Sequence, residues 1–239
     1  MVATVRGGTF APMSDAKQSQ DLAALLKRSE EFDAAIQACF PEGGLVLAQS
    51  TERTELVAIA CQLSIEHALT LRLAFAALAP NSGTAVLRLQ YEALLRAAWL
   101  LFSASPTQVE KLSRVLDLQS EQAAKNLPGY LDMLEAVVKK APLGLSAPLV
   151  EFNQYSRHAL NSFIHGGIHP LHRARNGFPA EMAATLVRFS NGLAHFAYRM
   201  LASLSGSQRR MDRVTHTYAS FKDCVPMAAN TGNQGAGAT

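Results

Sequence analysis

The sequence is poor in cysteine, in charge and in any alternation of apolar with polar residues, and each shortage excludes something. Its three cysteines, Cys39, Cys61 and Cys224, are odd in number and widely spaced, with no C-x-x-C pair and no zinc-ligand spacing. A disulfide framework and a thiolate zinc site are therefore excluded, and reduced thiols are expected. Charged residues make up 17% of the chain and the formal net charge is +3. That surplus marks a nucleic-acid binder only if the basic residues gather on one face. No useful stretch alternates apolar and polar residues, so no sheet is expected, and no internal repeat points to a solenoid. The N-terminal residues carry no continuous apolar run of the kind a secretion signal needs. The most apolar long stretch, Ala85 to Phe102, is interrupted by Arg88, Glu92 and Arg96, each costly inside a bilayer. A cytoplasmic protein without a membrane span is the expectation. Also missing are H-E-x-x-H, the paired E-x-x-H of di-iron bundles, the phosphate loop G-x-x-x-x-G-K-[ST] and the G-x-S-x-G elbow. No metal and no cofactor are expected.

What the chain does have is apolar side chains, 49% of the total, arranged at helical spacing. The pattern predicts an amphipathic helix from Ser19 to Phe40, ended by Pro41-Glu42-Gly43-Gly44, and a more central helix from a Thr51 cap to Ala79. Asn81-Ser82-Gly83 should turn the chain into a third long helix reaching Ser103, antiparallel to the second. Further helices are predicted from Pro106 to Asn126, Pro128 to Lys140, Leu149 to His165, Pro179 to Leu204 and Gln208 to Val225, because prolines suit first turns and Gly166-Gly167 suits a helix end. Pro142 to Pro148 reads as a connector and His169 to Phe178 as a loop. The fold class is all-α: a helical bundle of about seven or eight helices. It should occupy residues 19–225, between a flexible segment 1–18 and a disordered tail 226–239.

Two polar groups stand out within these helices. In R-L-Q-Y-E-A-L-L-R-A-A-W-L, residues Arg88, Glu92 and Arg96 share one helical face, with Trp99 near the same stripe. They form either a solvent-exposed row of helix-stabilising pairs or a buried network. The preceding helix offers Glu66, expected to meet Arg88 and Arg96 when the hairpin closes. The second group lies in Y-S-R-H-A-L-N-S-F-I-H-G-G-I-H-P-L-H-R, where Arg157, Asn161 and His165 recur every four residues, and His169, His172 and Arg173 follow. These side chains either tie down the turn or meet an anion, with His165 suited to proton transfer.

The segments S-I-E-H-A-L (64–69), R-L-Q-Y-E-A-L-L-R-A-A-W-L-L (88–101) and L-N-S-F-I-H-G-G-I-H (160–169) together resemble a family of bacterial all-helical proteins of unknown function, over roughly Leu22 to Leu204. That resemblance implies a fold and no activity. Arg157 and His165 are more distantly similar to the arginine, short spacer and histidine of HEPN nucleases. The spacer is longer here, and His158 stands where that motif often has asparagine. The HEPN resemblance implies a homodimeric, metal-independent ribonuclease of stress or phage defence, in which His165 moves a proton and Arg157 stabilises phosphorane charge. RNA or a small anion would then be the ligand of Arg157, Asn161, His165, His169 and Arg173. The alternatives are a small-ligand sensor built on Glu66, Arg88, Glu92, Arg96 and Trp99, and a structural or partner-binding bundle.

Overall fold

The computed structural model describes residues 16–226, and among them it has ten α-helices and no strand. The expected flexible segment and tail lie outside the described residues, except for residues 16–18, which already belong to the first helix, and Pro226.

α1 (Ala16–Gln37) is amphipathic, burying Leu22, Leu25, Leu26, Phe32 and Ile36. α2 (Glu52–Ala76) is capped as expected: the Thr51 hydroxyl accepts the Thr54 amide and the Thr54 hydroxyl accepts the Thr51 amide. α3 (Pro80–Phe102) begins before the expected turn, because Pro80 at a first helical position has no amide to leave unpaired. The chain reverses instead at residues 77–79, with Leu78 at φ 58°. Arg53, at the start of α2, donates to the carbonyls of Leu100 near the far end of α3 and of Ala104 just beyond it, and Ser64 donates to Gln90 O at 3.1 Å. The hairpin is therefore antiparallel. By length and composition α2 could cross a membrane; 39% of its most apolar window is buried.

The expected helix from Pro106 to Asn126 is two, α4 (Pro106–Ser113) and α5 (Leu118–Ala124). Arg114 is extended and Asp117 accepts the Ser120 amide at 2.7 Å as a new cap. Val115, Leu116 and Leu118 are exposed, so no core contact holds one helix together there. α6 (Tyr130–Lys140) is followed by α7 (Leu143–Ile164), which absorbs the expected connector: Pro142 is its cap, and Pro148 forfeits one bond without ending it. The expected loop is largely α8 (Ile168–Asn176), since Pro170 falls in a first turn whose amides have no intrahelical acceptor. α9 (Ala180–Leu204) and α10 (Gln208–Ser220) complete the chain.

α3 sits against α2, α6, α7 and α9. Its Leu87, Tyr91, Leu94, Leu95 and Trp99 join Val187, Ala197 and Leu201 of α9 in one buried cluster. Each such large side chain contributes about 1.5–3 kcal/mol by leaving water. One polar pair in this core is matched reciprocally: Gln90 donates to Ser190 O at 2.8 Å and accepts from the Ser190 hydroxyl at 2.7 Å.

Candidate anion-binding site

The sharp turn between α7 and α8 is built by two glycines and a serine. Gly166 adopts φ +63°, a conformation that L side chains rarely adopt, and the Gly167 amide donates back to Ser162 O at 2.8 Å. A β-carbon on Gly167 would lie 2.6 Å from the Ser162 hydroxyl, which instead accepts the His169 amide at 3.0 Å. One serine thereby closes α7 and starts α8. The corner is anchored from beneath by Phe163, which stacks on the His169 ring at 6.1 Å and meets Phe178, itself against Phe75 of α2.

Arg157, Asn161 and His165 share a face of α7, and the His165 amide donates to Asn161 O at 3.1 Å. Their side chains make no hydrogen bond or ion pair with one another among the described residues. Eight residues of helix separate Arg157 from His165 by about 12 Å along the axis, so a ligand touching both must bridge them. His158, His165, His169, His172 and Arg175 are exposed, and Arg157, Asn161 and Arg173 are half-buried. From Phe152 to Ala180 the chain holds three arginines and four histidines and no aspartate or glutamate. This segment therefore carries arginines and histidines with no carboxylate of its own. Tyr155, Ile168 and Leu171 are exposed on the same segment. Among the described residues, no three His, Cys, Asp or Glu side chains converge as metal ligands.

The ladder on α3 is a different object. Arg88 is 1% exposed, and its Nε donates to Glu92 Oε1 at 2.7 Å. Its guanidinium lies 4.0 Å from the ring centre of Tyr130, contributed by α6, while Nη1 is buried without a partner. The reading of a wholly solvent-exposed row is thus overturned. Arg96 is half-buried; burial draws its pKa down and the charge of Glu92 opposes that shift. Trp99 is buried in the core. Glu66 does not meet the ladder: it is exposed and forms no ion pair with Arg88 or Arg96 among the described residues. The reason lies on α2, where Ser64 and Ala68 are buried and Ile59, Leu63, Glu66 and Leu73 point outward.

Three polar features escaped the sequence reading. Asp33 of α1 receives Arg72 Nη2 and Tyr198 Oη, each at 2.7 Å, joining α1, α2 and α9. Burial, reinforced by Asp33, holds the Tyr198 phenol above its usual range. His195 is buried, stacked on Tyr218 at 3.9 Å, with Nε2 unpartnered; burial lowers its pKa to about 3. Finally, α1 and α10 flank an open groove of about 700 Å³ lined by Cys39, Arg209, Asp212, Arg213 and His216. Only a three-dimensional arrangement could reveal these features, because each unites residues from different helices.

A family model described as a family of unknown function, DUF6988, matches residues 61–227, which hold both the ladder and the α7–α8 corner. No curated protein and no solved structure matches the chain.

Proposed function

The chain belongs to DUF6988, a family of unknown function, and from the α7–α8 corner we propose that it binds a phosphate-bearing polyanion, RNA first among them. The observation that carries this reading is the acid-free segment from Phe152 to Ala180, with its three arginines and four histidines. Phosphate contacts supply sequence-independent affinity, and exposed aromatic and apolar side chains such as Tyr155, Ile168 and Leu171 suit unstacked bases.

The same groups support a HEPN-like, metal-independent cleavage by two copies sharing one cleft. One His165 imidazole would take the proton of an RNA 2′-hydroxyl as that oxygen attacks the adjacent phosphorus. Arg157 would hold the charge of the phosphorane. The bond to the 5′-oxygen then breaks, and the protonated His165 of the partner subunit returns a proton to it. The products are a 2′,3′-cyclic phosphate and a free 5′-hydroxyl.

Binding and cleavage separate experimentally. Fluorescence anisotropy with a labelled single-stranded RNA should show affinity falling with salt, and Arg157→Ala or Arg173→Ala should each reduce the log–log slope by about 0.7. Incubation of mixed cellular RNA in excess chelator should show cleavage by the wild type and none by His165→Ala or Arg157→Ala. Salt-dependent binding without cleavage would leave a binding module; absence of binding would remove the reading altogether.

A further inference from the structure

We infer that the outer face of α2, continued by the turn into α3, is the interface through which two copies of this chain pair. A helix that is apolar on nearly every side ordinarily lies in a core or a membrane. α2 is such a helix, yet Ile59, Leu63, Leu69 and Leu73 point into solvent, with Leu78 in the turn and Leu89 on α3; each is at least 43% exposed. Ala76 and Ala77 are exposed among them.

Three observations favour a second copy as the occupant. The first is area. The six large side chains present on the order of 550 Å² of apolar surface, and the flanking alanines and half-buried Val86 bring the face toward the ~800 Å² per partner of a standard interface. The second is Leu78. The Ala79 amide donates to Ala74 O and the Leu78 amide to Phe75 O, a helix ending that favours glycine at position 78 because φ is positive there. Leucine at φ 58° is strained, and with 68% of its surface in water little of its side chain is buried against the described residues to offset that strain. A partner that covered it would bury the rest.

The third observation is charge. The exposed charges on α2 are all carboxylates, Glu52, Glu55 and Glu66, while Arg53 and Arg72 are engaged within the fold. A helix lying on an anionic membrane would instead present lysine or arginine beside its apolar face. Among the described residues neither Glu66 nor the half-buried Arg96 of α3 forms an ion pair, so the pairing brings together charges of both signs. A two-fold contact places the same patch on both sides, making each unmatched charge available twice. This inference is independent of what the α7–α8 corner binds.

Sedimentation equilibrium of the full chain tests it. The wild type should be a dimer at micromolar concentration. Leu73→Glu, at an exposed position, should be monomeric with an unchanged helical circular-dichroism spectrum. Leu78→Gly should relieve the backbone, keep the fold, and raise the dimer dissociation constant roughly tenfold or more. Leu116→Glu, in the exposed α4–α5 connection, should remain dimeric. A wild type that is monomeric at every concentration, or a dimer that survives both α2-face variants, overturns the proposal. Adsorption of a monomeric wild type to phosphatidylcholine–phosphatidylglycerol vesicles would assign the face to lipid and overturn it too. If Leu73→Glu loses its helical signal, Leu78→Gly decides the question.

Discussion

Arg88 and Glu92 stand one helical turn apart on α3 with 2.7 Å between Nε and Oε1, but they live in different media: the arginine side chain is 1% exposed and the carboxylate 42%. The pair is therefore asymmetric. Truncating the carboxylate strands a buried guanidinium whose Nη1 already lacks a partner, whereas removing the arginine leaves a carboxylate that water can still solvate. Glu92→Ala should cost about 2–3 kcal/mol, near the lower end for a broken buried pair because the carboxylate is partly hydrated. Arg88→Met keeps much of the packing against Tyr130 and removes the buried charge; it should cost less than Glu92→Ala. Urea unfolding of the two variants checks the order, and a larger loss for Arg88→Met would mean that the stacked guanidinium itself stabilises the core.

The α7–α8 turn carries a second expectation, local rather than global. The Ser162 hydroxyl accepts the His169 amide at the first turn of α8, as a capping group does. Ser162→Ala should destabilise that helix start by about 1 kcal/mol. Amide hydrogen exchange should accelerate at His169 and its immediate neighbours while α3 and α9 stay protected. Unchanged exchange at His169 would show that Ser162 does not hold α8. If protection fell across the whole chain, the turn would be part of the global folding unit rather than a local cap.

The parts of this molecule legible in the sequence are those decided locally. Thr51 caps α2, the glycines at 166 and 167 end α7, and Pro106 opens α4, all through contacts within a few residues. Where local signals compete, apolar spacing misleads: Asp117 caps Ser120 and divides the expected fourth helix, because exposed Val115, Leu116 and Leu118 have no core to join. The candidate site divides the same way. The shared face of Arg157, Asn161 and His165 follows from their four-residue spacing alone. The position of Glu66 does not, since a helix apolar on nearly every side gives no indication of which side meets its neighbour. Burial of Arg88 depends on Tyr130 from α6, and the partners of Asp33 lie 39 and 165 positions away.

His195 makes the stability of the fold pH-dependent in a calculable direction. Its ring is stacked on Tyr218 and 5% exposed; burial, aided by the positive charge of Arg199, lowers its pKa to about 3 from the ordinary 6.5. Between those values the unfolded chain binds a proton that the folded chain refuses. Stability is therefore full above about pH 6.5, falls as pH drops, and stops falling on this account near pH 3. From pH 7 to pH 5 the loss should be about 2 kcal/mol. His195→Phe retains an aromatic ring against Tyr218 and has no proton to bind, so its own stability should change less over the same interval by that amount. Urea midpoints at pH 7 and pH 5 for both proteins supply the comparison. The difference between the two pH dependences isolates this histidine from every group that the two chains share. Equal slopes would mean that His195 takes up its proton in the folded state, through an opening at the α9–α10 contact that lets water reach Nε2.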